Sequence, residues 1–195
     1  MRKLKLQIQT SIDGYIAAAN GSTAWMIWNW GNEWPWDDAL RKYHTDLTAT
    51  ADCVLLSRKM ATEGFIGHWE EMAKNSDNPQ ATFAKNITAA HKVVFTKTLP
   101  ASVWKNTELA KGDLATEVNK LKGQPGKDII VYGGGAFVSA LIKARFIDEF
   151  HLVVNPTVLG DGLSIFKEVG NNLNLNLVSA TSHNDGIVAL HYVSH

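Results

Sequence analysis

The chain has 195 residues, 45% hydrophobic and 19% charged, enough apolar material for one domain with its own core and too much for a disordered chain. Nineteen Lys+Arg balance nineteen Asp+Glu, so no basic excess points to a nucleic-acid partner. The single cysteine, Cys53, excludes a disulfide framework and a cysteine-built zinc site, and no apolar run approaches the roughly 18 residues of a membrane span.

The first seventeen residues, MRKLKLQIQTSIDGYIA, interleave basic and apolar positions without a continuous apolar stretch. They do not read as a signal peptide, and the expected location is the cytoplasm. Leu4 to Gln9 alternates apolar and polar residues, which predicts a half-buried strand. Pro35 to Thr50 predicts a helix: Pro35, Asp37 and Asp38 stand where helix starts favour them, and Leu40, Tyr43, His44 and Leu47 recur at three and four. Cys53 to Leu56, His91 to Phe95 and Asp128 to Tyr132 are short continuous apolar runs, the pattern of strands covered on both faces. Leu109 to Lys122 has helical periodicity and ends at Gly123. Phe150 to Asn155 is a further strand. Leu175 to Ser182 and Ile187 to Ser194 flank Asn184-Asp185-Gly186, a hairpin signal.

Buried strands alternating with helices predict a mainly parallel sheet with helices on both faces, turning antiparallel at its end. The loops around Asn75–Pro79 and Gly123–Gly126 are too short for linkers, so residues 1–195 read as one domain.

The stretch richest in chemistry is the strand ending at Tyr132, then Gly133, Gly134 and Gly135, then the amphipathic run Ala136 to Lys143. Glycines at a strand-to-helix turn admit close backbone approach and positive φ. The helix start behind them offers free N–H groups and a positive dipole end, which suits a phosphate. The alternative is a tight turn that binds nothing. Val138 occupies the last glycine position of a dinucleotide fingerprint begun at Gly133, and no Gly-Lys-Ser/Thr follows, so neither the usual dinucleotide fold nor a P-loop is indicated.

Residues 131–138, VYGGGAFV, resemble the pyrophosphate-binding turn of the dihydrofolate-reductase fold. Residues 146–166, FIDEFHLVVNPTVLGDGLSIF, are similar to a block of the reductase domain in bifunctional riboflavin-biosynthesis enzymes and their stand-alone relatives. SIDGYIA at 11–17, and LLSRK at 55–59 with EGF at 63–65, resemble two further blocks of that family, in the same order. The resemblance implies an α/β fold, a dihydrofolate-reductase-like three-layer α/β/α sandwich, and a homodimer.

It also implies NADPH along the carboxyl ends of the parallel strands. Gly133, Gly134 and Gly135 would hold the pyrophosphate, helped by Ala136, Phe137 and Val138. Ser57 and Arg58 match the phosphate-contacting region, although Ser57 stands where glycine is usual and Met60 where threonine is typical. Thr96 and Lys97 fall where relatives surround the 2′-phosphate, and Ile16 and Ala17 where they line the nicotinamide. Ordinary surface charge for Arg58 and Lys97, and ordinary packing for Ile16 and Ala17, are the plainer readings.

Trp25, Trp28, Trp30, Trp34 and Trp36 place five of the seven tryptophans in one short segment. It is read either as an aromatic wall or lid over a planar substrate, with Trp28, Trp34 and Trp36 touching it, or as rings packed in a core or interface. Asp37 and Asp38 stand where folate-reducing relatives carry a substrate-binding carboxylate. In an apolar pocket its pKa would be raised for proton relay; the plainer reading is a helix-start acid. Val153 replaces the threonine of folate reducers, so the expected substrate is pyrimidine-, pterin- or carbonyl-like rather than dihydrofolate. Asp13 is read as ordering its own turn with Gly14.

Seven histidines are scattered, and His191 and His195, four apart on a predicted strand, lie roughly 13 Å from each other. No metal is expected. The whole reads as an NADPH-dependent reductase, the alternative being a non-catalytic dinucleotide-binding protein of the same fold.

Overall fold

Residues 1–195 are described by a computed structural model. In chain order the elements begin with β1 (Leu4–Thr10), β2 (Ala17–Ala18), α1 (Asp38–Ala49), β3 (Ala51–Ser57), α2 (Arg58–Thr62), α3 (Phe65–Met72), α4 (Ala81–Ala89) and β4 (His91–Phe95). They continue with β5 (Thr107–Ala110), α5 (Leu114–Gly123), β6 (Asp128–Val131), α6 (Gly135–Lys143), β7 (Glu149–Val154), β8 (Gly162–Leu163), β9 (Leu175–Ser182) and β10 (Val188–Ser194). The main sheet is mixed, mostly parallel and eight-stranded, and β2 and β8 form a separate pair. No helix is long and apolar enough to cross a membrane.

The chain forms two units, one of Met1–Leu4 with Lys42–Gly134 and one of Lys5–Arg41 with Gly135–His195. In the first, β5, β4, β3 and β6 lie side by side in that order, all parallel. Their apolar runs are the reason: Val54, Leu55, Leu56, Val93, Val94, Ile129, Ile130 and Val131 are wholly buried, as a sheet covered on both faces requires. In the second, β7 runs parallel to β1 and antiparallel to β10, which pairs with β9 in the expected hairpin. Its turn is a short 3-10 segment, Asn184–Gly186.

Three expectations are corrected. All seven residues of β1 are buried, not every second one. Two of its polar side chains are partnered there: Lys5 faces Glu149 at 3.8 Å, and Gln9 donates to the Trp28 carbonyl and accepts from Asn155. The helix expected over Leu109–Lys122 is two elements. Thr107–Ala110 pairs with β4, and Asp113 then caps α5 by accepting the Thr116 amide at 3.1 Å. The helix expected from Pro35 starts at Asp38, with Asp37 accepting the Leu40 amide at 2.8 Å. The short helices α2, α3 and α4 carry too little periodicity to be read from sequence.

The first unit's core is finished by a polar pair and a ring stack. Tyr132 and Thr48 share a hydroxyl hydrogen bond of 2.6 Å, and His44 stacks on Phe83 at 4.3 Å. Complete burial pushes the His44 pKa down to about 3, so this ring is neutral and acts as an aromatic filler.

Leu55 is fully buried in β3 and Val103 is 85% exposed in a loop. Leu55→Ala is expected to destabilise the protein by about 2–5 kcal/mol in urea unfolding. Val103→Ala is expected to change stability by less than about 0.5 kcal/mol.

Candidate functional site

In the first unit, parallel pairing sets Ser57 beside Phe95 and Leu55 beside Val131. The residues at and after those strand ends therefore gather at one edge: Ser57 and Arg58, Thr96 and Lys97, Gly133 and Gly134. This is the carboxyl edge of parallel strands, where α/β folds bind ligands. Arg58 is exposed and opens α2. Ser57 caps that helix, its hydroxyl accepting the Met60 amide at 3.2 Å. A serine at the glycine position thus has a local task.

Thr96 is buried, and its hydroxyl accepts the Thr98 and Leu99 amides, both at 3.1 Å. It shapes the turn that carries Lys97. The Lys97 ammonium is exposed and donates to the Lys111 and Gly112 carbonyls, each at 2.6 Å. Carbonyls neutralise none of its charge, so the cation still faces solvent at this edge.

Gly133 is buried, and a Cβ there would touch the Met60 sulfur at 3.5 Å. Gly134 has φ of +82°, a conformation that side-chain-bearing residues rarely adopt.

In the second unit, Gly135 begins α6, whose Val138, Ser139, Leu141 and Ile142 are buried. A Cβ on Gly135 would lie 3.0 Å from Ile16 Cδ1, so these two expected site residues lie close together at this position. Ala136 is exposed and Phe137 half-buried, leaving the first turn of α6 accessible at Ala136. Ala17 is buried in β2 and pairs with Leu163.

Asp13 reaches beyond its own turn, contrary to the narrower expectation. Its carboxylate accepts from the Ser11 hydroxyl at 2.7 Å, the Leu159 amide at 3.2 Å and the Gly160 amide at 2.7 Å. Those hydrogen bonds, that from Ser11 first, hold its pKa below the usual value. The segments SIDGYIA and TVLGDGLSIF are joined through it.

Trp28, Trp34 and Trp36 are 1%, 3% and 1% exposed. Trp28 meets Trp34 at 5.2 Å and Trp36 at 4.7 Å between ring centroids. The backbone of this segment is tied down as well: the Trp28 carbonyl accepts from Gln9 at 2.7 Å, and Asn155 accepts the Ile27 amide at 3.0 Å. Arg41 donates to the Trp34 carbonyl. These three rings are placed as interior packing, and none has a face open to solvent.

The environment expected around Asp37 and Asp38 needs correction. Asp37 accepts the Leu40 amide at 2.8 Å, the Asn184 amide at 2.9 Å and the His183 ring nitrogen at 3.1 Å. The Asn184 amide is the foremost cause that lowers its pKa, where an apolar pocket would have raised it. Asp38 has a fully exposed side chain, 3.5 Å from Arg41, and no apolar pocket at all. His183 was invisible as a partner in the sequence, because only hairpin closure brings position 183 beside the start of α1.

Comparison with known proteins follows the same lines. The RibD C-terminal domain family matches residues 2–189. The uncharacterised protein YyaP of Bacillus subtilis is 28% identical over 193 residues, which cover 98% of this chain and 94% of that protein. A solved structure from Shewanella sp. PV-4, named for riboflavin biosynthesis, superposes with a TM-score of 0.70 at 22% identity, covering 100% of this chain and 99% of its own. A diaminohydroxyphosphoribosylaminopyrimidine deaminase/5-amino-6-(5-phosphoribosylamino)uracil reductase of Thermotoga maritima superposes with a TM-score of 0.65 at 18% identity. The present chain covers 57% of that longer protein. These likenesses show a shared fold, the mixed α/β sheet ending in antiparallel strands. With a match over residues 2–189 and the glycine turn in place, the chain belongs to the RibD C-terminal domain family.

Proposed function

We propose that the protein is an NADPH-dependent reductase that delivers a hydride to a small planar substrate, a pyrimidine-like ring first and a pterin- or carbonyl-like group next. The observation that carries this reading is the Gly133-Gly134-Gly135 turn, with φ of +82° at Gly134, at an edge that also bears Arg58 and Lys97. Family membership supports the reaction class, and the uracil ring in the name of the Thermotoga protein supports the substrate class.

The residues present fit such a cofactor. A backbone free of side chains at 133–135 admits close approach of a pyrophosphate, and the start of α6 presents N–H groups that have no intrahelical acceptor. Arg58 and Lys97 supply positive charge for phosphate, with Arg58 suited to a bidentate contact. Ile16 and Ala17 offer apolar contact for the nicotinamide. When bound, the dinucleotide supplies the hydride, and the protein supplies position and electrostatics. The bonds that Asp37 accepts make it a clamp between the start of α1 and the β9–β10 hairpin, and an ionised one.

A second reading is favoured by that same carboxylate. Asp37 is engaged by its neighbours and Asp38 stands in water, so neither is placed as a proton donor. On this reading the protein binds the dinucleotide without turnover. The family resemblance further leads us to propose a homodimer, with the edge strand β9 as its contact. Leu177 and Val178 there are each 56% exposed.

Titration with NADPH is expected to raise the melting temperature, because a ligand that binds only the folded state stabilises it. Gly134→Val is expected to remove that rise while leaving a folded protein. An unshifted wild type, or an unaffected variant, would overturn the pyrophosphate assignment. A screen of pyrimidine, pterin and carbonyl compounds by nicotinamide absorbance then separates the readings, since only the reductase consumes NADPH.

Asp37 gives a pH test. Its folded pKa is below the ordinary 3.8, so its contribution to stability is complete above that value and fades as pH falls through the folded pKa. Asp37→Asn is therefore expected to lower the melting temperature at neutral pH, with the gap to wild type closing well below pH 3.8.

A further inference from the structure

Strand register in the second unit assembles a group that the spacing of histidines along the chain conceals. Glu149 and His151 are two apart on β7 and so share a face of the sheet. His191 on β10 is paired directly with His151, and Lys5 on β1 directly with Glu149. Four chemically active side chains therefore converge. Glu149 Oε2 lies 3.3 Å from His151 Nε2, 3.5 Å from His191 Nε2 and 3.8 Å from Lys5 Nζ.

The side chains of Glu149, His151 and Lys5 are no more than 9% exposed, whereas that of His191 is 19% exposed. Balancing one lysine requires one carboxylate. Two imidazole nitrogens also lie within 3.5 Å of that carboxylate oxygen, which charge balance with Lys5 does not require.

We propose that Glu149, His151 and His191 form a binding site for a zinc-class divalent cation, with Lys5 as the internal cation that holds Glu149 when no metal is bound. The donor set is right in kind, two imidazoles and one carboxylate, leaving a fourth position for water. The spacing is right in size. Tetrahedral zinc with bonds of roughly 2.0–2.1 Å separates its ligand atoms by about 3.3 Å, and the three ligand atoms here all lie within 4.8 Å of one another. Of the three side chains, that of His191 is the most exposed.

Two movements accompany loading. The imidazoles now stack, 17° from parallel with centroids 4.1 Å apart, and must turn to aim both lone pairs at one point. The Lys5 ammonium must withdraw from Glu149, because it repels the incoming charge. That repulsion gives the proposal a signature that stray surface histidines lack: removing Lys5 strengthens the site.

The test is equilibrium dialysis of the full chain, stripped with a chelator and then exposed to Zn²⁺, with Co²⁺ as the spectroscopic probe. Wild type is expected to take up one Zn²⁺ per chain and to show the intense visible bands of tetrahedral Co²⁺. His151→Phe and His191→Ala are each expected to weaken uptake at least about a hundredfold and to lose those bands, a ligand counting for no less than an outer partner. Lys5→Met is expected to tighten Zn²⁺ at least about tenfold. Should His151→Phe fail to fold, the more exposed His191→Ala carries the test. The site is overturned if wild type binds no stoichiometric Zn²⁺, if His191→Ala binds it equally well, or if Lys5→Met leaves the affinity unchanged or weaker. None of these outcomes depends on NADPH, so the reductase reading stands or falls separately.

Discussion

At Gly134 the backbone takes a positive φ to leave β6 and enter α6, and a side chain there would be strained whatever space surrounded it. That constraint organises the candidate site. No side chain branches from the backbone across residues 133–135. Gly135 extends the effect, since even one methyl group would crowd Ile16. Parallel pairing of β3, β4 and β6 then puts the cations of Arg58 and Lys97 at the same edge.

The strands also bury polar groups that are held by hydrogen bonds. Lys92 sits within β4 yet is only 2% exposed, its ammonium donating to the Ala90, Thr88 and Ile87 carbonyls. Those carbonyls close the end of α4, where a cation is favoured and where free C=O groups need donors. Burial pulls the Lys92 pKa down, and three carbonyls replace the lost water. In the second unit, Gln9, Asn155 and the Trp28 carbonyl satisfy one another and fix the tryptophan segment to β1. Hydrogen bonding thus turns an aromatic-rich loop into a fixed part of the core.

Electrostatics divides the acidic residues by task. Asp13 and Asp37 both sit at chain crossings, accept several amides and stay ionised below the usual range. Each ties together segments far apart in sequence, Asp13 to Gly160 and Asp37 to Asn184. Glu149 differs, since its neighbours are side chains of ionisable type rather than amides.

The sequence alone was sufficient for the α/β class, the buried strands, the terminal hairpin and the glycine turn. Each of these depends on local periodicity or on conformations open to glycine, and neighbouring residues carry that information. Four family-like blocks in order also sufficed for the RibD-type fold. The tertiary structure alone decided which polar residues of β1 are buried, because alternation does not reveal that a strand is covered on both faces. It decided that Leu109 belongs to β5 rather than α5, since β4 supplied a pairing partner. It made Asp37 a clamp between the start of α1 and the hairpin and gave it His183, and it set His191, read as a scattered histidine, directly beside His151. Register across strands sets such contacts, and register is a property of the assembled sheet, not of any one stretch of chain.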